Sequence, residues 1–455
     1  MEREKFGSRL GFILISAGCA IGLGNVYRFP ITTGSYGGAF FVLIYIAFLL
    51  LLGIPVMTAE LSVGRGSQKS IAGSFNALEK PGQKWHFMKY VGIGGNYLLM
   101  MFYTTISGWM IIYFCKYLTG SIMTEADLGA VFGGVVSNPG LMIAATFAVI
   151  LICFGICSIG LQKGVERITK VMMLALFVLM VGLAIYACTL SNAAEGLKFY
   201  LVPSIHNFVA SGPWTVISSA MGQAFFTLSI GMGSIAIFGS YIGKERSLLG
   251  ESVNVAILDT LVALSSGLII FPACFAYGVD VDSGPSLTFI TLPNIFNNLP
   301  LGRLWGSLFF VFMSFAALST VLAVFEEITA CTQDLFGWGR KKSCIVNGIL
   351  LFVLSLPCSL GFNLLSFIQP LGEGTNIMDL EDFIVSNLIL PLGSLVIILF
   401  CVLKKGWGWD NYIKEANTGK GLKMKNFMRG YVTCVLPIMV IVLFVIGIIR
   451  TFAQS

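Results

Sequence analysis

Oxygen-bearing residues stand inside apolar runs of this chain at spacings suited to holding a small cation. In FAALSTVLAVF, Ala316, Ser319 and Thr320 lie at i, i+3 and i+4, which puts one carbonyl and two hydroxyls on one helix face. The stretch SAGCAIGLGNVYRFP, Ser16–Pro30, breaks an apolar run with three glycines, Asn25 and Arg28. Unwinding near Gly22 and Gly24 exposes the N–H groups that start its outer half, a positive dipole end suited to a carboxylate. The carbonyls around Gly18, Ala20 and Ile21 then lose their helical partners and become ligands for a hard cation, with Asn25 and Thr227 able to add side-chain oxygens. Asp259, in NVAILDTLVAL, is an acid deep in its apolar run, where leaving a carboxylate unpaired is expensive and function is the default reading. Each feature also has a packing alternative, because glycines allow close helix contact and hydroxyls bond back to their own backbone.

The elements that position these groups are membrane spans. Of 455 residues, 56% are hydrophobic and only 11% charged, and the mean hydropathy is +0.87, which excludes a soluble globule. A helical crossing needs about 20 apolar residues, and eleven segments qualify, near 10–30, 37–62, 90–118, 139–160, 165–188, 214–241, 248–278, 301–334, 343–361, 382–403 and 431–450. With the N-terminus in the cytoplasm, only Arg28, Lys116, Lys198, Arg303 and Arg450 fall outside, leaving 23 of 28 Lys and Arg on the cytoplasmic side. That is the positive-inside pattern, and it sets the C-terminus outside. The +6 charge therefore reports topology and gives no support to a nucleic-acid partner. Eleven scattered cysteines suggest no disulfide framework, two histidines are too few for a metal cluster, and SAGC lacks the leucine expected of a lipoprotein cleavage site.

Span 1 has a counterpart in GQAFFTLSIGMGSIAIFG, Gly222–Gly239, where Thr227, Ser229, Gly231 and Gly233 interrupt span 6. Broken segments at equivalent places in two halves are the best sequence pointer to a transporter's mid-membrane site. Five spans separate the two starts, so the second half is inverted relative to the first.

SAGCAIGLGNVYRFP, GGAFF (Gly37–Phe41), GIPVMTAELSVGR (Gly53–Arg65), GQAFFTLSIGMG, FITLPNIF (Phe289–Phe296) and FAALST resemble, in order and across the whole chain, the neurotransmitter:sodium symporter family. Eleven spans resemble its bacterial branch. The resemblance implies an all-α, polytopic, LeuT-like fold with an inverted 5+5 repeat. The halves would be 1–188 and 214–403, with an external loop at 189–213, a cytoplasmic loop at 404–430 and span 11 at 431–455. It further implies a multi-pass protein of the bacterial inner membrane, functional as a monomer, that takes up neutral amino acids with two sodium ions. The first ion would meet Ala20, Asn25, Thr227 and a span 7 residue, placed at Asp259, together with the substrate carboxylate. The second would meet the carbonyls of Gly18, Ile21 and Ala316 and the hydroxyls of Ser319 and Thr320. The substrate carboxylate would meet Gly24 N–H and the Tyr103 hydroxyl, with Ala20, Leu23 and Thr227 alongside. Asp259 supplies a fixed negative charge where animal relatives use chloride, so transport is expected to be chloride-independent.

By residue match, Cys19, Leu99, Tyr103, Phe226, Ser229, Met232, Thr320 and Val324 form the side-chain pocket. None is charged, which favours neutral hydrophobic or aromatic L-amino acids. Arg28 and Asp382, closing over Phe226, resemble the family's outer gate. Arg3 and Asp334, with Phe6, resemble the inner one. Leu174 stands where bacterial relatives often carry a span 5 proline, so a continuous helix is expected there, and Ser107 leaves no acid where some relatives have one. No nucleophile–base pair or nucleotide loop suggests an enzyme. The rival readings are a proton-coupled permease of the same architecture and a transport-inactive membrane sensor.

Overall fold

The computed structural model describes residues 7–278, 280–281 and 286–453. Among them the chain is helical, with one isolated bridge between Arg246 and Lys420. Nine described helices are long and apolar enough to cross a membrane: Ala39–Ser67, Trp85–Thr119, Pro139–Ile159, Leu161–Cys188, Leu248–Ala276, Gly302–Phe336, Arg340–Leu360, Ile377–Val402 and Met428–Ile446. A further crossing is a bent pair, Arg9–Ala20 and Gly24–Ser35, whose halves turn by 51°. The segment expected as span 6 is split into Pro213–Thr227 and Ala236–Tyr241, each too short to cross alone. Spans 3 and 8 run past the apolar stretches read from hydropathy, because a helix continues until something caps it rather than stopping where lipid does.

Spans 8 and 3 are the centre: 78% and 67% of their apolar windows are buried, against 33% for span 5. Span 8 packs on spans 1, 3, 4 and 5. Span 5 is a rim helix, and Val171, Leu174, Val178, Val181 and Ile185 form an exposed apolar stripe along it. A stripe of that size faces acyl chains, which solvate it as a protein core would. The helix is unbroken through Leu174, from Arg167 to Cys188.

Helix starts are fixed by short polar side chains that take up otherwise open N–H groups. Ser8 Oγ accepts from Gly11 N–H at 3.0 Å at the start of span 1. Asn376 and Asp379 cap each other's backbone at 3.2 and 2.8 Å, which sets the first turn of span 10 and the position of Asp382. At the end of span 2, fully buried Arg65 pairs with Glu415 at 2.6 Å, tying the helix Trp409–Ala416 to the bundle. Glu326 of span 8 is likewise paired with Arg340 at the start of span 9.

Candidate functional site

Span 1 stops being helical at Ile21, whose backbone is extended at φ −72, ψ 101, and resumes as a π-turn over Gly24–Arg28. The cause is steric as well as conformational. A Cβ at Gly22 would overlap the Tyr103 hydroxyl and Thr320 Oγ1, so only glycine lets the backbone pass between spans 3 and 8. Span 6 comes apart between Thr227 and Ala236, with Ser229 at φ 51 and Gly231 at φ 100. Ser229 Oγ donates to Cys19 O at 3.1 Å, so the two breaks meet.

Six oxygens converge where span 1 loosens against span 8. Ser319 Oγ lies 3.1 Å from Ile21 O and 2.9 Å from Ala316 O. Thr320 Oγ1 lies 3.2 Å from Gly18 O, 3.2 Å from Cys19 O and 3.3 Å from Ile21 O. Three carbonyls from broken span 1, the Ala316 carbonyl of span 8 and two hydroxyls, with no charged group among them, form the donor set a hard monovalent cation prefers. The two hydroxyls donate to these same carbonyls.

A second cluster lies on the other side of the break. Asn25 Nδ2 donates to Asp259 Oδ1 at 2.7 Å and to its carbonyl at 3.0 Å, while Asn25 Oδ1 accepts from Gly22 N–H at 3.0 Å. Thr227 Oγ1 donates to the Asp259 carboxylate at 3.1 and 3.2 Å, and Tyr45 OH reaches it at 3.4 Å. Asp259 is fully buried, so its carboxyl oxygens are met by donors from spans 1, 2 and 6 instead of water. The Tyr103 hydroxyl accepts from Leu23 N–H at 2.7 Å, one residue before the Gly24 N–H expected beside it, and keeps its own proton to donate.

A cavity of about 10 Å³ is lined by Ala20, Gly24, Leu99, Tyr103, Phe226, Ser229, Met232 and Leu390. Cys19 and Thr320 meet this region through its backbone bonds, and Val324 is buried in span 8 away from the cavity wall. A larger cavity of about 250 Å³ lies on the Arg28 side of the first, lined by Leu23, Tyr27, Arg28, Phe102, Met378, Asp379 and Asp382 among others. Tyr103 and Phe226 border both. Arg28 lies 4.4 Å over the Phe226 ring, pairs with Asp382 at 3.1 Å and donates to Ser386 Oγ at 2.8 Å, so the three residues meet over Phe226.

The inner pairing is different in kind. Arg3 and Phe6 lie outside the described residues. Asp334 accepts from Ser70 N–H and Oγ at 2.8 and 2.7 Å. The inner end of span 1 is held by Arg9–Glu251 at 2.9 Å and by Glu166, which accepts from Gly7 N–H at 2.9 Å. These acids are not singled out by the sequence reading, nor are Tyr45, Gln223, Ser266, Leu390 and Glu60. Gln223 Nε2 donates to Gly24 O at 2.6 Å and Ser266 Oγ to Asn25 O at 2.7 Å, each satisfying a carbonyl that the break leaves open. In span 6 it is open N–H groups that are satisfied: Glu60 accepts from Gly231 and Ile235 N–H at 2.8 and 3.0 Å where the short helix Ala236–Tyr241 begins. An acid inside an apolar run was the available signal for Glu60, the same one that marks Asp259.

This arrangement recurs in known proteins. A family model described as the Sodium:neurotransmitter symporter family matches residues 3–126 and 130–455. The chain is 35% identical to the uncharacterized sodium-dependent transporter YhdH of Bacillus subtilis over 402 residues, covering 88% of each protein. It is 29% identical over 458 residues to an uncharacterized sodium-dependent transporter of Haemophilus influenzae, covering 98% of each. The crystal structure of MhsT in complex with L-phenylalanine superposes with a TM-score of 0.89 at 38% identity, covering 98% of this chain and all of that one. Helices broken at matching points, oxygens gathered between them and a match along almost every residue lead to one assignment: the chain belongs to the sodium:neurotransmitter symporter family, as a membrane-spanning, sodium-dependent transporter and not an enzyme.

Proposed function

We propose that this protein couples the entry of two sodium ions to the uptake of one neutral hydrophobic or aromatic L-amino acid, by alternating access and without chloride. The observation that carries the proposal is the convergence of Gly18, Ile21 and Ala316 carbonyls with Ser319 and Thr320 hydroxyls. A proton-coupled permease has no need of five neutral oxygens around one point. The second ion would lie between Ala20, Asn25, Thr227 and Asp259, beside the substrate carboxylate at Tyr103 and Gly24. The charge already carried by Asp259 would then balance the ions in place of bound chloride.

The substrate class follows from the lining. Leu99, Phe226, Met232 and Leu390 offer hydrocarbon, Ser229 is the one hydroxyl added by span 6, and no charged side chain borders the small cavity. A cationic or anionic substrate side chain would lie there unpaired at high cost. MhsT, at 38% identity, holds L-phenylalanine. In this arrangement residues 1–188 and 214–403 are two inverted halves, the N-terminus is cytoplasmic and the C-terminus external, and one chain is a working unit in the bacterial inner membrane.

Uptake of labelled L-phenylalanine into proteoliposomes under sodium, potassium or proton gradients tests the proposal. Accumulation is expected with sodium alone and is expected to be unchanged when chloride is replaced by gluconate. Proton-driven accumulation without sodium would hand the function to the permease, and loss of uptake in gluconate would remove the role given to Asp259.

A further inference from the structure

Met232 lines the small cavity from the loosened middle of span 6, and its neighbours on span 3 fix where it stands. Its carbonyl accepts from Asn96 Nδ2 at 3.3 Å, and Asn96 is turned that way by Ser234 Oγ, which donates to its Oδ1 at 2.6 Å. The backbone is thus held on both sides of Gly233. The Met232 side chain has no such anchor: it is an unbranched thioether that settles into the space left to it. That space is made by Gly95, the residue before Asn96. A Cβ there would stand 3.0 Å from Met232 Sδ and 3.1 Å from its Cγ. Non-bonded carbons ordinarily settle at about 3.5–4.0 Å, so only a residue without a side chain lets the thioether lie this close to span 3.

The height of this contact along span 3 gives it a meaning. Gly95, Leu99 and Tyr103 recur every four residues and so share one helix face, and Leu99 and Tyr103 line the cavity together with Met232. At about 1.5 Å per residue, Leu99 lies about 6 Å and Gly95 about 12 Å along the axis from Tyr103. Tyr103 stands at the carboxylate end of the proposed substrate. Met232, resting on Gly95, is therefore the floor beneath the far end of the substrate side chain. The adjacent Gly94 has no such role, since a Cβ on it meets nothing within 4 Å.

We propose that Gly95 sets the upper size of the substrate side chain by setting how low Met232 lies, a role that rests on the amino-acid uptake reading above. Gly95 touches no substrate and acts as a positioning residue. A methyl group at this position would lift Met232 Cγ and Sδ into a cavity that is already small. A bulky substrate side chain reaches the raised floor and is rejected, whereas a short one stops above it. The limit thus acts on the tip of the side chain and leaves the carboxylate and the sodium ligands alone.

Sodium-dependent binding of labelled L-phenylalanine, and competition by L-valine, is measured on purified Gly95→Ala. The affinity for phenylalanine relative to valine is expected to fall on the order of tenfold, the effect of overpacking one methyl group, with the sodium dependence unchanged. Gly94→Ala makes the same change of residue type in the same helix and is expected to keep the wild-type ratio. Adding Met232→Ala to Gly95→Ala is expected to return the ratio at least to the wild-type value. An unaltered ratio in Gly95→Ala would overturn the proposal, as would an equal loss for both amino acids, which marks a general disturbance of the helix. So would a ratio still depressed in the double variant, because the effect would then pass through Ile389, whose Cγ2 is 2.8 Å from the same Cβ. If Gly95→Ala does not fold, Met232→Ala alone decides: it is expected to raise the affinity for L-tryptophan relative to valine, and an unchanged ratio would show that Met232 is no floor. No sodium-dependent binding in the wild type would remove the uptake reading and this proposal with it, whereas intact wild-type binding with an unaltered ratio in Gly95→Ala removes this proposal alone.

Discussion

Thr320 is the residue with most contacts in the site, because its one hydroxyl touches three carbonyls, those of Gly18, Cys19 and Ile21. Thr320→Ala is expected to raise the sodium concentration for half-maximal uptake on the order of tenfold, in line with about 1.5–3 kcal/mol for a hydrogen-bond partner to a charged group. Tyr103→Phe removes the proton that the hydroxyl keeps after accepting Leu23 N–H, so it is expected to weaken amino-acid binding by a similar factor while leaving sodium dependence nearly unchanged. Binding isotherms for both variants at fixed and varied sodium check the contrast. The grouping of Ser319, Thr320 and Ala316 is visible in helix periodicity, and Asp259 in its isolation among apolar residues. Gln223, Ser266 and Tyr45 are not visible that way. Gln223 and Ser266 each bond a span 1 carbonyl that becomes available only once that span is open, and Tyr45 bonds the Asp259 carboxylate on span 7; nothing in their own neighbourhoods announces it.

At the scale of elements, the two breaks have different supports. Span 1 is opened by crowding, with Gly22 pressed between Tyr103 and Thr320. Span 6 is opened by positive φ at Ser229, Gly231 and Gly233 and kept open by Glu60. Gly22→Ala forces a methyl into the Tyr103–Thr320 contact, an overpacking of about 1–3 kcal/mol. The variant is expected to lose sodium-dependent amino-acid binding at least about tenfold while keeping helix content, read by circular dichroism alongside the binding assay. Unaltered binding would show that the backbone can yield there. The glycines that interrupt both runs are legible from sequence, since a bilayer penalises loose backbone unless something replaces its partners. The length of each gap is not. In span 6 it extends from Thr227 to Ala236, because Glu60 reaches across from span 2 to hold N–H groups on both sides of Gly233.

Across the whole molecule, the ion pairs divide by depth. Arg65–Glu415 and Arg340–Glu326 are almost fully enclosed, with side-chain exposures of 0% and 13%, and 14% and 0%. Removing one partner from such a pair leaves a buried charge, so these pairs act as fixed pins. Arg28 and Asp382 are 26% and 40% exposed, and a pair so wet contributes about 1 kcal/mol or less. As the proposed outer gate, a contact that forms and breaks in every cycle would have to be of that weak kind. Asp382→Asn is expected to raise the labelling rate of a cysteine placed at Ile106, in a background lacking the exposed Cys115, Cys188 and Cys434, by about threefold. An unchanged rate would mean that Phe226 alone keeps the outer side shut.

That ring has a further implication. Phe226 is a shared partition between the outer hollow and the inner one, held under Arg28. A partition that serves two rooms cannot retreat into one without narrowing it. Under the proposed function a cargo molecule can stand in the antechamber with the ring settled, whereas the inner chamber, at about 10 Å³, must widen to admit it, and that passage must carry the aromatic side chain and the guanidinium along together. A ligand bulky enough to wedge the ring from the antechamber would stall the turnstile without ever touching the ions.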